Sequence, residues 1–206
     1  MEKRMSRYIP YKYYHWGPYL SSFKVEEPEL QAIEKLFNKE KDNSYRSSLA
    51  GHVVNEFGID KDKCFEILAP YIESYCMGYV KYTGLKLCNK LEITSCWVNY
   101  MVKNEFNPPH AHEADLSFVL YTQVPKDLIE ENKKFICIDH PKGKLGGAGP
   151  GGIEFISSGK GLCAHTFFPE VGDLFIFPAD LLHWVYPFRE SEGERISVSG
   201  NLNVIW

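Results

Sequence analysis

The sequence lacks the segments that mark membrane, secreted and nucleic-acid-binding proteins. Its 206 residues contain no apolar run near the roughly 20 residues that a transmembrane helix needs. No apolar stretch follows the basic residues Lys3 and Arg4, so we expect no secretory signal. A net charge of −4 leaves no basic excess for binding phosphates, and nothing else indicates a nucleic-acid partner. Together these absences predict a cytoplasmic protein without a membrane partner.

The sequence also lacks the paired cysteines of redox and structural zinc motifs. Its six cysteines are scattered, and none forms a Cys-x-x-Cys pair. Without a secretion signal, we expect them to be reduced thiols. No segment repeats with a period of roughly 20–50 residues, which argues against a solenoid.

Length and composition are those of one globular domain over residues 1–206, with 44% hydrophobic and 15% aromatic residues. Residues 1–25 are rich in tyrosine and predict an irregular aromatic arm that packs on the core. Residues 26–84 predict a helical buttress, and residues 85–206 predict a β core. The sequence is also compatible with a homodimer.

The helical buttress has clear start and stop signals. Apolar residues recur at helical spacing from Glu27 onwards. A second helix begins near Asp60 or Asp62, either of which could cap it, and ends before Gly84. Residues 41–60, which are rich in serine, glycine and asparagine, are expected to form a loop between the helices.

After Gly84 the segments become short, β-branched and aromatic, and glycine, proline and asparagine interrupt them. The predicted strands are 92–102, 110–123, 134–139, 153–157, 162–168, 173–178, 183–187 and 195–205. Eight strands after two helices predict a mainly β fold with flanking helices, a small barrel or jelly roll buttressed by the N-terminal helices. The glycine-rich residues 143–152 predict a flexible loop or lid.

Two histidines one residue apart, His110 and His112, are the strongest chemical signal. If they lie on one strand, their side chains point to the same face. His183 follows about seventy residues later, directly after a predicted strand and a tight turn. Three imidazoles at the mouth of a β barrel would form a site for iron, zinc, nickel or copper.

Arg195 begins the last predicted strand, in which polar and apolar residues alternate. The polar face, which includes Ser197, either faces water or lines a cleft. In a cleft, Arg195 could bind a carboxylate through two parallel hydrogen bonds, a geometry that lysine cannot match. Ser197 could donate a further hydrogen bond to the same group.

The order of these motifs resembles that of the Fe(II)/2-oxoglutarate-dependent dioxygenases, and among them a group of oxygenases related to prolyl hydroxylases that includes phage-encoded members. The resemblance runs from about Ser48 to Asn203 and includes Trp97-Val98-Asn99 and the segment 195–201. It implies a double-stranded β-helix, a jelly-roll or cupin-like barrel. It also implies Fe(II) as cofactor, 2-oxoglutarate as co-substrate, and hydroxylation of a prolyl residue or a small molecule with release of succinate and CO2.

The resemblance assigns roles to individual residues. The implied metal ligands are His110, His112 and His183. The implied co-substrate residues are Arg195, Ser197, Tyr121 and, more weakly, Asn99.

Position 112 departs from the family pattern, in which an aspartate completes the usual two-histidine, one-carboxylate triad. Here the residue is His112, a neutral ligand that leaves more positive charge on the metal. Glu113 and Asp115 are alternative third ligands. Strand parity argues against both, but Asp115 becomes a candidate again if the chain breaks register near Ala114.

Two other classes of protein fit the same residues. A cupin-like metalloenzyme could use three histidines without 2-oxoglutarate. A non-catalytic barrel could keep a degenerate site, for which the departure at His112 is the best support. The position of Arg195 and Ser197 after His183 favours the oxygenase.

Overall fold

The computed structural model of the chain describes residues 9–15, 17–39, 44–49, 51–136, 149–157 and 163–206. The helices are α1 (Glu27–Glu34), α2 (Lys61–Thr83) and α3 (Lys126–Ile136), with a short 3-10 helix at Arg46–Ser48. The strands are β1 (Lys12–His15), β2 (Tyr19–Lys24), β3 (Asn55–Gly58), β4 (Lys90–Met101), β5 (Asn107–His110), β6 (Leu116–Gln123), β7 (Ile153–Ser157), β8 (Cys163–Phe167), β9 (Asp173–Pro178), β10 (Leu182–Val185) and β11 (Arg195–Ile205).

The strands form two antiparallel sheets. The larger sheet has the order β1-β2-β9-β6-β11-β4-β3, and the smaller has the order β5-β10-β7-β8. This is the mainly β, jelly-roll type of architecture that the sequence predicts, with α1 and α2 on the outer side of the larger sheet. The described strands form two separate sheets, not one closed barrel. No helix in the described part of the chain is both long and apolar enough to cross a bilayer.

Two apolar layers hold the elements together, one on each face of the larger sheet. On the outer face, α2 contributes Leu68, Tyr71, Ile72 and Tyr75, which pack with sheet residues such as Leu120 and Val198. Between the sheets, Val119, Phe155, Phe175 and Phe177 form a second core. Because β6 is buried on both sides, its apolar residues do not alternate with polar ones but form the run Phe118-Val119-Leu120-Tyr121.

Helix α2 begins and ends where local signals predict. The side chain of Asp60 accepts a hydrogen bond from the backbone N–H of Lys63 at 3.1 Å, so Asp60 and not Asp62 is the cap. Gly84 ends the helix at φ +74°, a left-handed conformation that glycine adopts without strain.

Two segments expected to be irregular contain strands. In place of an irregular arm over 1–25, β1 pairs with β2, and β2 pairs with β9 of the larger sheet. Within the predicted loop 41–60, β3 forms the edge of the same sheet by pairing with β4. These strands depend on partners far along the chain, so their own composition does not reveal them.

Two predicted strands are wrong. The segment 134–139 was expected to be a strand, but residues 134–136 are the end of α3, and residues 137–139 lie outside the described part. Leu128, Glu131 and Asn132 recur at helical spacing on the buried face of α3. The predicted strand 110–123 is divided into β5 and β6 by five residues outside any strand.

Gly200 lies on the central strand β11, where a side chain has no room. A Cβ atom there would lie 2.6 Å from ring atoms of Phe118 and 2.8 Å from the carbonyl oxygen of Ser95. We expect Gly200→Ala to lower the free energy of unfolding by about 1–3 kcal/mol, because the ring and the backbone must move apart. Urea unfolding measures this value, with Asn203→Ala at an exposed position of β11 as the control. Equal stability of the two variants would contradict the packing described here.

Candidate active site

His110, His112 and His183 converge between the two sheets. His110 is the last residue of β5 and lies directly opposite His183 on β10, with ring centroids 4.3 Å apart. The ring of His112 lies 5.0 Å from that of His110 and 5.2 Å from that of His183. One nitrogen from each ring lies within 4.8 Å of the others, so the three can hold one metal ion.

The path of the chain between the first two histidines differs from the prediction. His112 is not on a strand with His110. It lies in the segment 111–115 between β5 and β6, where its backbone N–H donates to the carbonyl of Ala179 at 2.9 Å. The convergence of the two rings therefore comes from the turn of this segment and not from strand alternation.

Backbone carbonyls orient two of the three rings. Nδ1 of His110 lies 2.7 Å from the carbonyl oxygen of Pro108, and Nδ1 of His183 lies 2.9 Å from that of Leu181. A carbonyl oxygen only accepts hydrogen bonds, so each Nδ1 carries the hydrogen and each Nε2 keeps its lone pair for a metal.

The three rings are held in their neutral form. Burial, together with the neighbouring imidazoles, lowers the pKa of His183 to about 3. Burial and the nearby His110 lower the pKa of His112 to about 4, and burial lowers the pKa of His110. Neutral imidazole is the form that binds metals, so the donor set fits a divalent transition metal.

Neither alternative carboxylate joins the three histidines. Although the chain does leave the strand here, Asp115 turns its Oδ2 to the backbone N–H of Val204 at 2.7 Å. Glu113 is exposed. Among the described residues, the three histidines are the one group of side chains close enough together to hold a metal.

Arg195 is a buried cation with an unused donor. Its side chain is 3% exposed, and Nη1 donates to the carbonyl oxygen of Gly151 at 2.7 Å, while Nε has no hydrogen-bond partner. The ion pairs found in the described part of the chain do not include Arg195. A buried charge without a counter-charge is costly, so this position fits an anionic ligand.

The other three predicted co-substrate residues lie beside Arg195 on the same face of the larger sheet. Tyr121, Ser197 and Asn99 are directly opposite one another on β6, β11 and β4. The guanidinium carbon of Arg195 lies 5.2 Å from the ring centre of Tyr121, whose buried hydroxyl has no partner. Asn99 donates to Ser197 Oγ at 3.5 Å and accepts from Trp97 Nε1 at 3.2 Å.

All seven predicted residues line one cavity of about 150 Å³, so the structure brings them together. The first part of the polar face of β11, at Arg195, Ser197 and Ser199, therefore lines a cleft. Of the predicted lid at 143–152, residues 143–148 lie outside the described part, and the remainder includes Gly151, whose carbonyl oxygen accepts a hydrogen bond from Arg195.

The cavity also contains an acidic residue that the sequence did not suggest. Glu56 lies on β3 directly opposite Asn99, lines the cavity and is 1% exposed. Burial raises the pKa of Glu56 to about 7, an effect that Arg46 opposes and Glu105 reinforces. No sequence motif marks this residue, because only the pairing of β3 with β4 turns it inward.

The family described as "Putative 2OG-Fe(II) oxygenase" matches residues 95–201, just over half of the sequence. No curated protein sequence matches the chain. The family match shows that the chain belongs to the 2-oxoglutarate- and Fe(II)-dependent oxygenases, which are enzymes.

Solved structures agree at the level of the fold. A 2OG-Fe(II) oxygenase family oxidoreductase from Burkholderia pseudomallei has a TM-score of 0.56 at 14% identity, over 89% of this chain and 84% of that one. A Pseudomonas putida prolyl-4-hydroxylase has a TM-score of 0.54 at 16% identity, over 89% and 91%. The viral collagen prolyl hydroxylase of Paramecium Bursaria Chlorella virus-1, in its 2OG complex, has a TM-score of 0.51 at 12% identity, over 90% and 96%.

The raised pKa of Glu56 makes stability depend on pH. The folded chain keeps a proton on Glu56 up to about pH 7, whereas an ordinary glutamate loses it near 4.5. The folded state therefore binds more protons, so the contribution of Glu56 to stability is present below pH 4.5 and is lost as the pH rises to 7. We expect Glu56→Gln to become more stable than the wild type over this window, by up to about 3 kcal/mol.

Urea unfolding of the metal-free proteins at several pH values measures this difference. Glu92→Gln, an exposed change of the same type on β4, is the control and should show no such trend. A constant difference between Glu56→Gln and the wild type from pH 4.5 to 7 would show that Glu56 is not buried as described.

Proposed function

We propose that the chain is an Fe(II)- and 2-oxoglutarate-dependent dioxygenase that hydroxylates its substrate and releases succinate and CO2. The proposed metal ligands are His110, His112 and His183. The single observation that carries the proposal is that three neutral imidazoles and an unpaired buried guanidinium line one cavity.

The residues of the chain bind and orient the reactants. Nε2 of His110 and His183 would hold the metal, with His112 as third ligand. Arg195 would bind the distal carboxylate of 2-oxoglutarate, and the free hydroxyl of Tyr121 offers a second donor beside it. When bound, iron and 2-oxoglutarate supply the oxidising chemistry, in which the keto acid is decarboxylated and a C–H bond is hydroxylated.

The remaining polar residues support this arrangement. Asn99 connects Trp97 to Ser197 through hydrogen bonds, which fixes the wall of the cavity between the metal-binding and carboxylate-binding ends. The aromatic residues of the second core surround His183, whose ring lies 5.0 Å from that of Phe177. This apolar surface would exclude water from the reacting groups.

A third histidine is compatible with this chemistry. Exchange of a carboxylate for His112 keeps three ligands on one side of the metal and raises the charge of the site by one. Bound 2-oxoglutarate, a dianion, would offset that charge. The similar structures named as prolyl hydroxylases support a prolyl residue as the hydroxylated group, and a small molecule is the alternative.

We expect His110→Ala and His183→Ala to lose Fe(II) binding while the fold is retained, because each removes one of the two rings fixed by backbone carbonyls. His112→Asp should keep iron, since aspartate restores the commoner triad. Anaerobic Fe(II) titration measures binding, and circular dichroism checks the fold. The control is His52→Ala, which changes an exposed histidine stacked on Phe106. Full iron occupancy in either alanine variant would refute the ligand assignment.

We expect Arg195→Met to weaken 2-oxoglutarate binding by about 10–100-fold, because the anion loses a charge-assisted pair of hydrogen bonds. Arg189→Met, at an exposed arginine, is the matched control. Anaerobic calorimetry with and without metal measures the affinity. A cupin-like metalloenzyme would bind metal without any effect of 2-oxoglutarate, and a degenerate site would bind neither. Succinate formation then tests turnover.

A further inference from the structure

The cavity contains a buried acid that neither the metal nor the co-substrate uses. Glu56 is outside the group of three histidines, and its Oε2 has no hydrogen-bond partner. Arg195 and Tyr121 present unpartnered donors, whereas Glu56 presents an unpartnered acceptor. The cavity can therefore bind an anion and a hydrogen-bond donor at different places.

The pairing of β3 fixes the direction of Glu56. Phe57, the next residue, points to the outer face and packs against the ring of Tyr100 at 6.0 Å. Because successive side chains of a strand alternate, Glu56 must point to the inner face, where the cavity lies. Its own carbonyl accepts a hydrogen bond from the backbone N–H of Tyr45 at 2.8 Å, which holds the strand in place.

Aromatic rings connect this part of the cavity with the histidines. Tyr45 stacks on Trp97, with ring centres 5.6 Å apart, and Trp97 contacts the edge of His112 at 5.9 Å. Trp97 also bonds to Asn99, the residue opposite Glu56. A molecule held by Glu56 would thus lie in the same cavity as the metal ligands, beside this aromatic wall.

Glu56 differs from the three other glutamates that are buried as whole residues in the described part of the chain. Both oxygens of Glu105 accept backbone N–H groups, from Val54 and Val102, at 2.9 Å. Glu131 accepts three backbone N–H groups of the segment 189–191, and Glu154 accepts the hydroxyls of Thr166 and Tyr186. These acids stabilise the fold. A buried carboxyl oxygen without a hydrogen-bond partner lowers the stability of the fold. A purely structural role therefore does not explain why Glu56 Oε2 is buried without a partner.

We propose that Glu56 binds the primary substrate of the oxygenase, and that this substrate presents a cationic nitrogen, an ammonium or guanidinium group, to Glu56 Oε2. The inference rests on the proposed function for the identity of the cavity. A cation both donates the missing hydrogen bond and compensates the buried negative charge, whereas a neutral donor does only the first. Arg195 would then bind the anionic 2-oxoglutarate, and Glu56 would bind the cationic primary substrate.

This assignment narrows the substrate class. The ring nitrogen of a prolyl residue within a peptide has no N–H and carries no charge, so it cannot be the group that Glu56 binds. A free amino acid or another small amine fits, as does a peptide with a basic side chain near the hydroxylated position.

Two pairs of probes of matched shape test the charge requirement: propylammonium against 1-propanol, and guanidinium against urea. Each is titrated above pH 7, where the Glu56 carboxyl loses its proton, into the metal-free, isotope-labelled protein and followed by amide NMR. We expect the cations to bind at least about tenfold more tightly than their neutral counterparts. Glu56→Gln should abolish the preference, and Glu56→Asp should keep a weaker one. Glu92→Gln should behave as the wild type.

The outcomes separate this inference from the oxygenase proposal. The titrations need neither metal nor 2-oxoglutarate, so they remain interpretable if Arg195→Met binds 2-oxoglutarate normally. The inference is overturned if charged and neutral probes bind equally, if the cations do not bind, or if their preference survives in Glu56→Gln. Loss of the preference in Glu92→Gln would also overturn it, because the effect would then reflect net charge.

Discussion

The antiparallel pairing of β10 with β5 is the constraint on which the site depends. It sets His183 directly opposite His110, and the carbonyls two residues before each histidine orient its ring. The smaller sheet then needs only to face the larger one for these rings to meet the polar residues of β4, β6 and β11. The second core, rich in phenylalanine, holds the sheets together around the cavity. Apolar packing and backbone hydrogen bonds thus position the three imidazoles beside these polar residues.

Charge is distributed over the cavity in an uncommon way. The three imidazoles are neutral, Arg195 supplies one positive charge, and Glu56 supplies one ionisable acid outside the ligand set. In the usual triad of this family, the acid is a metal ligand. Here residue 112 is a neutral histidine, and the buried acid Glu56 lies on β3 of the larger sheet. Under the proposed function, the carboxylate of Glu56 would bind the primary substrate and would not bind the metal.

The sequence predicts well what local signals determine. Asp60 and Gly84 mark the ends of α2, and the alternation from Arg195 onwards predicts β11. It predicts poorly what distant pairing determines. β3 has no β-branched residue, and it exists because β4 provides a partner, so Glu56 was not expected at the cavity. α3 was missed because its apolar end resembles a strand. The sequence predicts that His110 and His112 converge, but it attributes this to alternation along one strand. In the structure, the turn between β5 and β6 brings the two rings together.

The location of His112 outside the strands has an evolutionary consequence. His110 and His183 are tied to neighbouring strands, so replacing either disturbs a position that the sheet itself defines. Residue 112 is carried by a connecting segment whose backbone is held by Ala179, independently of its side chain. Exchange of imidazole for carboxylate at this point leaves the surrounding hydrogen-bond ladder untouched. During evolution, exchange between histidine and a carboxylate residue would therefore occur more readily at position 112 than at position 110 or 183.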